Sequence, residues 1–502
     1  MTAAAVPVAA PDSRWIVTGA ALLATYMQAA EISIPNAALL HIQGTLSMSD
    51  DEVGWIFTSY IAWSTVTLPM ARWLAGRYGR LAVFQACIAV FAVGLVLAAL
   101  ATTPFQFVLA RIVQGLASGP LAPLSLAVLL DIYPAGRHAL IGLVLTVDAM
   151  FGISSGPAIG GWLSEYHGWP SIFLASLPLS GVIFLGVTFC LPEKKAEASS
   201  PFDFLGLAWF SLALLALQAL LDRGERMEWF NSGQTWAEAI GVVLGLSLYL
   251  EHVARRQTHF LHKSLFCDRN FVLSTIMFFV FGFVLLPTLA LTSPLLDEVL
   301  GYPPDTTGYM TIPRGAGLVG ALILMGWAPA RIDHRIFVAG GMAVVIFANS
   351  LMLGYSPLMD WRAVAVVLLL QGIGLGIVMP ALTQTAFSTL APQLRPEATA
   401  LFHLARLYGG SIGVAVVLIF FFDNTQAMHL ALAKDLTPYR AATHGVGSIA
   451  LPDLARLNEA VTGQAAVVAV IGQFKILMMA MLAASPLVLF LRKPAPPATK
   501  GV

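Results

Sequence analysis

The sequence predicts an all-α polytopic membrane protein, and three observations carry that reading. The chain of 502 residues is 58% hydrophobic and only 11% charged, too little charge to cover the surface of a soluble protein of this length. Its mean hydropathy is +0.80. Apolar runs of about 20 residues, the length a helix needs to cross a bilayer, recur along the chain between short polar loops. In hydrocarbon every backbone polar group must be satisfied internally, which runs of this length achieve as helices.

Membrane helices are expected near 15–38, 53–74, 81–102, 104–130, 138–160, 169–190, 204–221, 236–250, 271–295, 306–328, 336–355, 362–386, 401–422 and 466–491, fourteen in all. The runs at 204–221 and 236–250 are the shortest. The first run, from Trp15, has no small-residue cleavage site and reads as a retained helix rather than a cleaved leader. An even number of spans places both termini on one side of the membrane. With that side inside, most of the 27 basic residues fall in inner loops and tails, among them Arg72, Arg77, Arg80, Arg255, Arg256 and Arg269. This positive-inside bias puts both termini in the cytoplasm. The acidic segments "SDDE" (49–52) and "LLDEVLGYPPD" (295–305) then lie outside. The longest non-membrane stretch, 423–465, reads as a surface loop; its periodicity around 426–434 suits a short amphipathic helix along the outer surface or against a partner.

Several function classes drop out. A formal net charge of zero argues against a nucleic-acid binder. Cys87, Cys190 and Cys267 lack metal-site or redox spacing and read as small buried hydrophobes. His41, His167, His252 and His403 are scattered, and neither a metal set nor a nucleophile elbow is present, so no enzyme, metal or cofactor is expected.

Six ionisable residues fall inside predicted helices: Glu31, Arg111, Asp148, Arg314, Arg406 and Lys475. Such residues usually face a protein interior or an aqueous cavity and mark functional sites. Arg314 and Lys475 stand where they can snorkel to an interface. Glu31 and Asp148 lie well inside apolar runs and are the candidate proton carriers, because burial favours the neutral acid while a guanidinium favours the carboxylate. Arg111 stays charged and so acts by biasing a carboxylate or binding an anion. It lies in "FVLARIVQGLASGPLAP" at a depth comparable to Glu31, with Gln114 one turn away on the same face. Pro35, just beyond Glu31, loosens the first helix. In the fifth helix "DAMFGISSGPAIGGWLSE" spaces Gly152, Gly156 and Gly160 four residues apart beside Pro157 and Gly161, a small-residue strip for close helix packing with a proline that frees a carbonyl.

These segments resemble the major facilitator superfamily, specifically its 14-helix drug:proton antiporters, over nearly the whole chain. "ARIVQG" (110–115) is similar to the fourth-helix arginine motif, and "GISSGPAIGG" (152–161) to the glycine–proline antiporter motif. "LDRGERMEWFNS" (221–232) is similar to the loop between the two extra helices of the subgroup found in tripartite pumps. "ARLYGGSIG" (405–413) is similar to the thirteenth-helix segment around Arg406. In the first helix Glu31, Ser33 and Asn36 stand where the family has an acid, a hydroxyl and an amide ahead of "ALLHIQ" (38–43). "RWLAGRYGR" (72–80) keeps Arg77, Gly79 and Arg80 of the signature loop but has Gly76 in place of its aspartate.

The resemblance implies a major facilitator fold: a six-helix bundle over 1–200, two extra helices over 201–260 and a second bundle over 261–502. It implies a proton-coupled antiporter that exports hydrophobic or amphiphilic compounds from the cytoplasm across the inner membrane by alternating access. Glu31 and Arg111 would handle the proton, and Asn36, Gln114 and Arg406 would face the substrate cavity; Asp148, ahead of the antiporter motif where the resemblance gives no obligatory acid, is a second proton site or a substrate contact. A periplasmic adaptor and an outer-membrane channel would be partners, alongside membrane lipids. The alternative is a transporter of one organic anion or siderophore-like metabolite in the same fold, with Arg111 and Arg314 as anion ligands.

Overall fold

The computed structural model describes residues 11–191, 202–224, 227–255, 263–296, 301–327, 333–356, 359–391, 394–434 and 451–492. Arg256 and parts of the predicted outer segments, residues 225–226, 297–300 and 435–450, lie outside them.

Among the described residues fourteen long helices form, one for each predicted span, with two short ones, Leu39–Leu46 and Asp50–Val53, between the first and the second. They are α1 (Pro11–Ser33), α2 (Trp55–Thr67, continued by a 3-10 turn Leu68–Met70 into Ala71–Tyr78), α3 (Arg80–Ala99) and α4 (Pro104–Ser118 and Leu121–Ile132). Next come α5 (His138–His167), α6 (Pro170–Leu174 and Ser176–Cys190), α7 (Phe204–Arg223), α8 (Gly233–Arg255) and α9 (Arg269–Pro294). The last five are α10 (Pro304–Gly326), α11 (His334–Met352), α12 (Trp361–Ser388), α13 (Arg395–Ala433) and α14 (Leu451–Ala484, ending in a 3-10 turn Ser485–Phe490). From α3 onward, 12 are long and apolar enough to cross a membrane by length and composition. The first carries Asp12, Arg14 and Glu31, and the second is broken at the turn holding Pro69. Loop acids start several helices. Asp203 accepts from the Gly206 amide and Asp268 from the Phe271 amide, each at 2.9 Å, satisfying donors that a helix leaves open at its first turn.

The end of the molecule where α1 begins is the near end, and the opposite one is the far end. Helix α1 packs on α5, α6 and the second half of α4, α2 on α4, and α3 on α4 and α6. A second set joins α9 with α12, α13 and α14, α12 with α10 and α11, and α14 with α11 and α13. The two sets meet along α5 and α10 and along α2 and α13, while α7 and α8 pair and α7 reaches both α2 and α13.

Three expectations need correction. The segment 426–434 is not a separate helix on the surface: α13 runs unbroken to Ala433, and His429 reaches Asn458 of α14 at 3.0 Å. Alanine and leucine keep a helix going after the apolar run ends, so the two helices project beyond the membrane together. Arg314 is no interfacial snorkel, being 4% exposed, whereas Lys475 does face outward. Of the three cysteines only Cys87 is buried; Cys267 is exposed, in the short turn before α9.

The seam between α1 and α5 is built from absent side chains. A Cβ at Gly152 would meet the Tyr26 carbonyl, at Gly156 the Ser33 hydroxyl, and at Gly160 the Ile34 carbonyl. The other face of α5 meets α10: Gly161 lies against the Pro304 carbonyl, and Gly308 against that of Pro157. Replacing Gly160 by alanine should therefore lower stability by about 1–3 kcal/mol, as overpacking does. Gly181→Ala, where the added carbon meets nothing within 4 Å, should be near neutral. Thermal unfolding in detergent compares the two, and equal midpoints would contradict the seam.

Candidate functional site: a buried acid and guanidinium

Glu31 lies in the last turn of α1, where a helix leaves carbonyls unpaired. Pro35 adds to this. A residue four positions later would donate to the Glu31 carbonyl, but proline has no N–H. Arg111 of α4 takes the vacancy, its Nη2 donating to the Glu31 carbonyl oxygen at 2.9 Å. The same guanidinium donates from Nε to the Ile56 carbonyl of α2 at 3.1 Å and from Nη1 to Gln114 Oε1 at 2.8 Å. Its face lies over the Tyr60 ring, 4.5 Å from the centroid, with Phe173 at 5.9 Å.

The carboxylate is held more loosely than the arginine. Arg111 Nη1 stands 3.4 Å from Glu31 Oε2, longer than the usual 2.7–2.9 Å of a charge-assisted bond. The other oxygen, Oε1, accepts from Ser176 Oγ of α6 at 2.8 Å. Both Glu31 and Arg111 are 0% exposed. Burying such a pair costs desolvation that its attraction does not always repay, so stability alone is a weak reason for it. Most of the grip on Arg111 comes from two carbonyls and an amide, none of which titrates. The guanidinium can therefore keep its place while the acid beside it gains or loses a proton.

The other sequence-predicted residues are distributed around this pair rather than gathered into it. Gln114 belongs to it, as an acceptor for Arg111. Asn36 sits one turn beyond on the far side and donates to the Leu289 carbonyl of α9, a contact between the two helix sets. Above the pair, a small apolar space is lined by Ile32, Phe57, Ile61, Leu286 and Val414, with Ser33 and Asn36 on its wall. Ser33 donates to the Ile153 carbonyl at 2.7 Å, the carbonyl that Pro157 leaves free on α5. Each proline thus releases a carbonyl that a side chain of another helix takes up.

Asp148 is elsewhere. It is half-buried on α5, one turn before Gly152, and its Oδ2 has no hydrogen-bond partner among the described residues. Since Gly152 meets Tyr26 and the two helices run parallel, Asp148 lies level with Leu22, nine residues or about 13 Å towards the near end from Glu31 at the usual helix rise. The two acids do not share Arg111. Arg314 donates from Nη2 to the Leu285 carbonyl at 2.6 Å. Arg406, 8% exposed, has Nε and Nη1 without partners among the described residues. Among those residues neither cation has a carboxylate within ion-pair distance. At the near end Gly79 takes φ +86°, a conformation that favours glycine. Arg80 beside it pairs with Asp131 at the end of α4 and donates to the Ala127 carbonyl at 3.2 Å, while Arg77 is exposed.

Ser176, Tyr60 and Phe173 escaped the sequence reading. A serine or an aromatic residue within an apolar helix has no periodic signature, and only the fold shows that these face Glu31 and Arg111. Asp222, which bonds Thr58 of α2, was also missed, because it lies at the last turn of a short apolar run next to a polar loop.

Comparison with known proteins agrees with this architecture. The family model described as "Major Facilitator Superfamily" matches residues 19–414. The chain is 29% identical to the fatty acid resistance protein FarB of Neisseria gonorrhoeae over 424 residues, 84% of this chain and 83% of that protein. It is 26% identical to the multidrug export protein EmrB of Escherichia coli K12 over 428 residues, 84% of this chain and 83% of that one. Among solved structures, an inward-facing, unoccupied bacterial homologue of the human lysosomal transporter Spinster superposes with a TM-score of 0.62. At 15% identity, covering 97% of this chain and 100% of that one, it shares the fold. The chain is a multi-pass membrane transporter rather than an enzyme, and it belongs to the Major Facilitator Superfamily.

Proposed function

We propose that this protein is a proton-coupled antiporter of the 14-helix drug:proton type, exporting hydrophobic or amphiphilic compounds across the bacterial inner membrane. The observation that carries the reading is the buried Glu31–Arg111 pair, in which the arginine is anchored by carbonyls and the acid only loosely by the arginine. Similarity to multidrug export proteins supports the direction of transport. The basic residues of the near-end loops support cytoplasmic termini, which makes the far end periplasmic.

In this mechanism α1–α6 and α9–α14, within 1–200 and 261–502, act as two bundles rocking about a midplane site, as transporters built from repeats do. With Glu31 charged, the cavity open to the cytoplasm accepts substrate. Opening to the far side breaks the contacts of Asn36 with Leu289 and of Gly161 with Pro304. A proton then reaches Glu31, favours release and permits return. Coupling requires proton and substrate to bias one two-state equilibrium in opposite directions. Arg111 holds the site through this cycle, while the glycine faces of α5 let that helix stay close to α1 on one side and move against α10 on the other. A periplasmic adaptor and an outer-membrane channel complete the route, by analogy with the related pumps.

A second reading, export of one organic anion, draws on Arg314 and Arg406, two buried cations without an acid partner among the described residues. A substrate carboxylate would satisfy the open N–H groups of Arg406.

Transport into proteoliposomes with an imposed pH gradient tests the proposal, using fatty acids, hydrophobic weak acids and lipophilic cations as probes. Glu31→Gln should reduce proton-driven accumulation of every transported probe to background while leaving the protein folded; accumulation at the wild-type rate would refute Glu31 as the coupling acid. Asp148→Asn should keep proton-driven accumulation and weaken the apparent affinity for lipophilic cations several-fold. Loss of proton drive in that variant with retained affinity would move the coupling site to Asp148.

A further inference from the structure

Helices α7 and α8 belong to neither of the two helix sets, yet α7 is fixed at its far end. Asp222, in its last turn, accepts from Thr58 Oγ1 of α2 at 2.8 Å on one oxygen and from Gln218 Nε2 at 2.9 Å on the other. The next residue, Arg223, lies over the Trp55 ring of α2 at 4.5 Å. Half-way along, Leu214 accepts from Tyr408 of α13 at 2.7 Å. The α7–α8 turn closes on itself: Gly224 accepts from the Trp229 amide at 2.6 Å, and the Trp229 ring fills the space where a Gly224 side chain would stand. The end of α7 that presents Asp222 is therefore a tied-down point.

The same few residues of α2 face the central pair. The Ile56 carbonyl accepts from Arg111 Nε. Thr58 follows two residues later and is 1% exposed. Tyr60 comes two further on, with its ring against the guanidinium and its hydroxyl donating to the Gln28 carbonyl of α1 at 2.9 Å. Residues 56–60 are gripped by Arg111 on one side and by Asp222 on the other. An Arg111 held by the Ile56 carbonyl depends on where α2 places that carbonyl.

We propose that Asp222 is a positioning residue for the Glu31–Arg111 pair: through Thr58 it fixes the outer segment of α2, and so ties the two extra helices to proton coupling. This role rests on the antiporter reading. The groups around Asp222 are Gln218 and Arg223 of its own helix, Thr58 of α2, Glu238 of α8 and Tyr408 of α13. A proton on Asp222 weakens its acceptance from Thr58, because hydrogen bonds to an ionised acceptor are roughly twice as strong as neutral ones. The grip on α2 then slackens.

Infrared difference spectroscopy of the lipid-reconstituted protein across a pH titration tests this without a substrate. The protonated-carboxyl band that disappears in Glu31→Gln belongs to Glu31, and its titration midpoint is the readout. Thr58→Val keeps the shape of the side chain, removes the donor and adds no titrating group. It should shift that midpoint by about half a pH unit or more, the scale on which one unit equals 1.36 kcal/mol. Thr58→Ser, which restores the hydroxyl, should return it to the wild-type value. Thr58→Val combined with Asp222→Asn should shift it no further than the larger single change, since the two act through one contact. A purely structural role lowers the melting temperature and leaves the midpoint in place. A midpoint unmoved in Thr58→Val while Glu31 titrates overturns this inference alone. A carboxyl spectrum unchanged by Glu31→Gln overturns the antiporter reading, and this inference with it.

Discussion

The structure turns on one guanidinium in hydrocarbon. Arg111 cannot shed its charge at any accessible pH, so the fold must supply it with acceptors, and the sequence does so by breaking α1. Pro35 withholds an N–H, the Glu31 carbonyl is left open, and Arg111 closes on it. Helices α1, α2 and α4 are tied together at that point through the Glu31 and Ile56 carbonyls. The acid side chain is then the counter-ion of a cation whose hydrogen bonds are mostly made to neutral groups. That arrangement suits an acid which must change charge inside a protein without taking the fold apart.

The second constraint is how near helices come to one another. Where α5 passes α1 and α10, backbone meets backbone because glycine removes the side chains between them. Pro157 lies inside this helix without an N–H to give, and the Ile153 carbonyl it leaves free accepts from Ser33, two residues after Glu31. The acid site and the α5 seam are therefore one connected unit. A displacement of α5 at Gly156 acts on Ser33 and on the end of α1.

The fourteen helices were legible as apolar runs, and among the described residues length and composition mark twelve of them directly as membrane-crossing. Their internal breaks were less so: the turn at Leu68–Met70 and the interruptions at Gly119 and Ala175 sit within runs that stay apolar. The reach of α13 beyond the membrane was missed because hydropathy stops at the lipid boundary while helix propensity does not. At the site, depth could be counted from sequence, and it placed Glu31 and Arg111 level. Direction could not be counted. That Glu31 faces Ser176, and that Arg111 bonds a carbonyl more closely than the carboxylate, depends on helix rotation and on which carbonyls the prolines release. Asp148 shows the converse. Its chemistry resembles that of Glu31, but it lies half-buried about 13 Å nearer the near end at the usual helix rise, without a cation in ion-pair distance among the described residues.

The central claim is that the charge on Glu31 sets which end of the transporter is open. Distance distributions between spin labels at Glu165 and Asp360, at the far ends of α5 and α12, test it directly in a background freed of the three cysteines. If Glu31 holds that role, lowering the pH redistributes these distances in the otherwise unaltered protein, and Glu31→Gln holds them at the low-pH distribution at every pH. Redistribution by pH to the same extent in Glu31→Gln would contradict it.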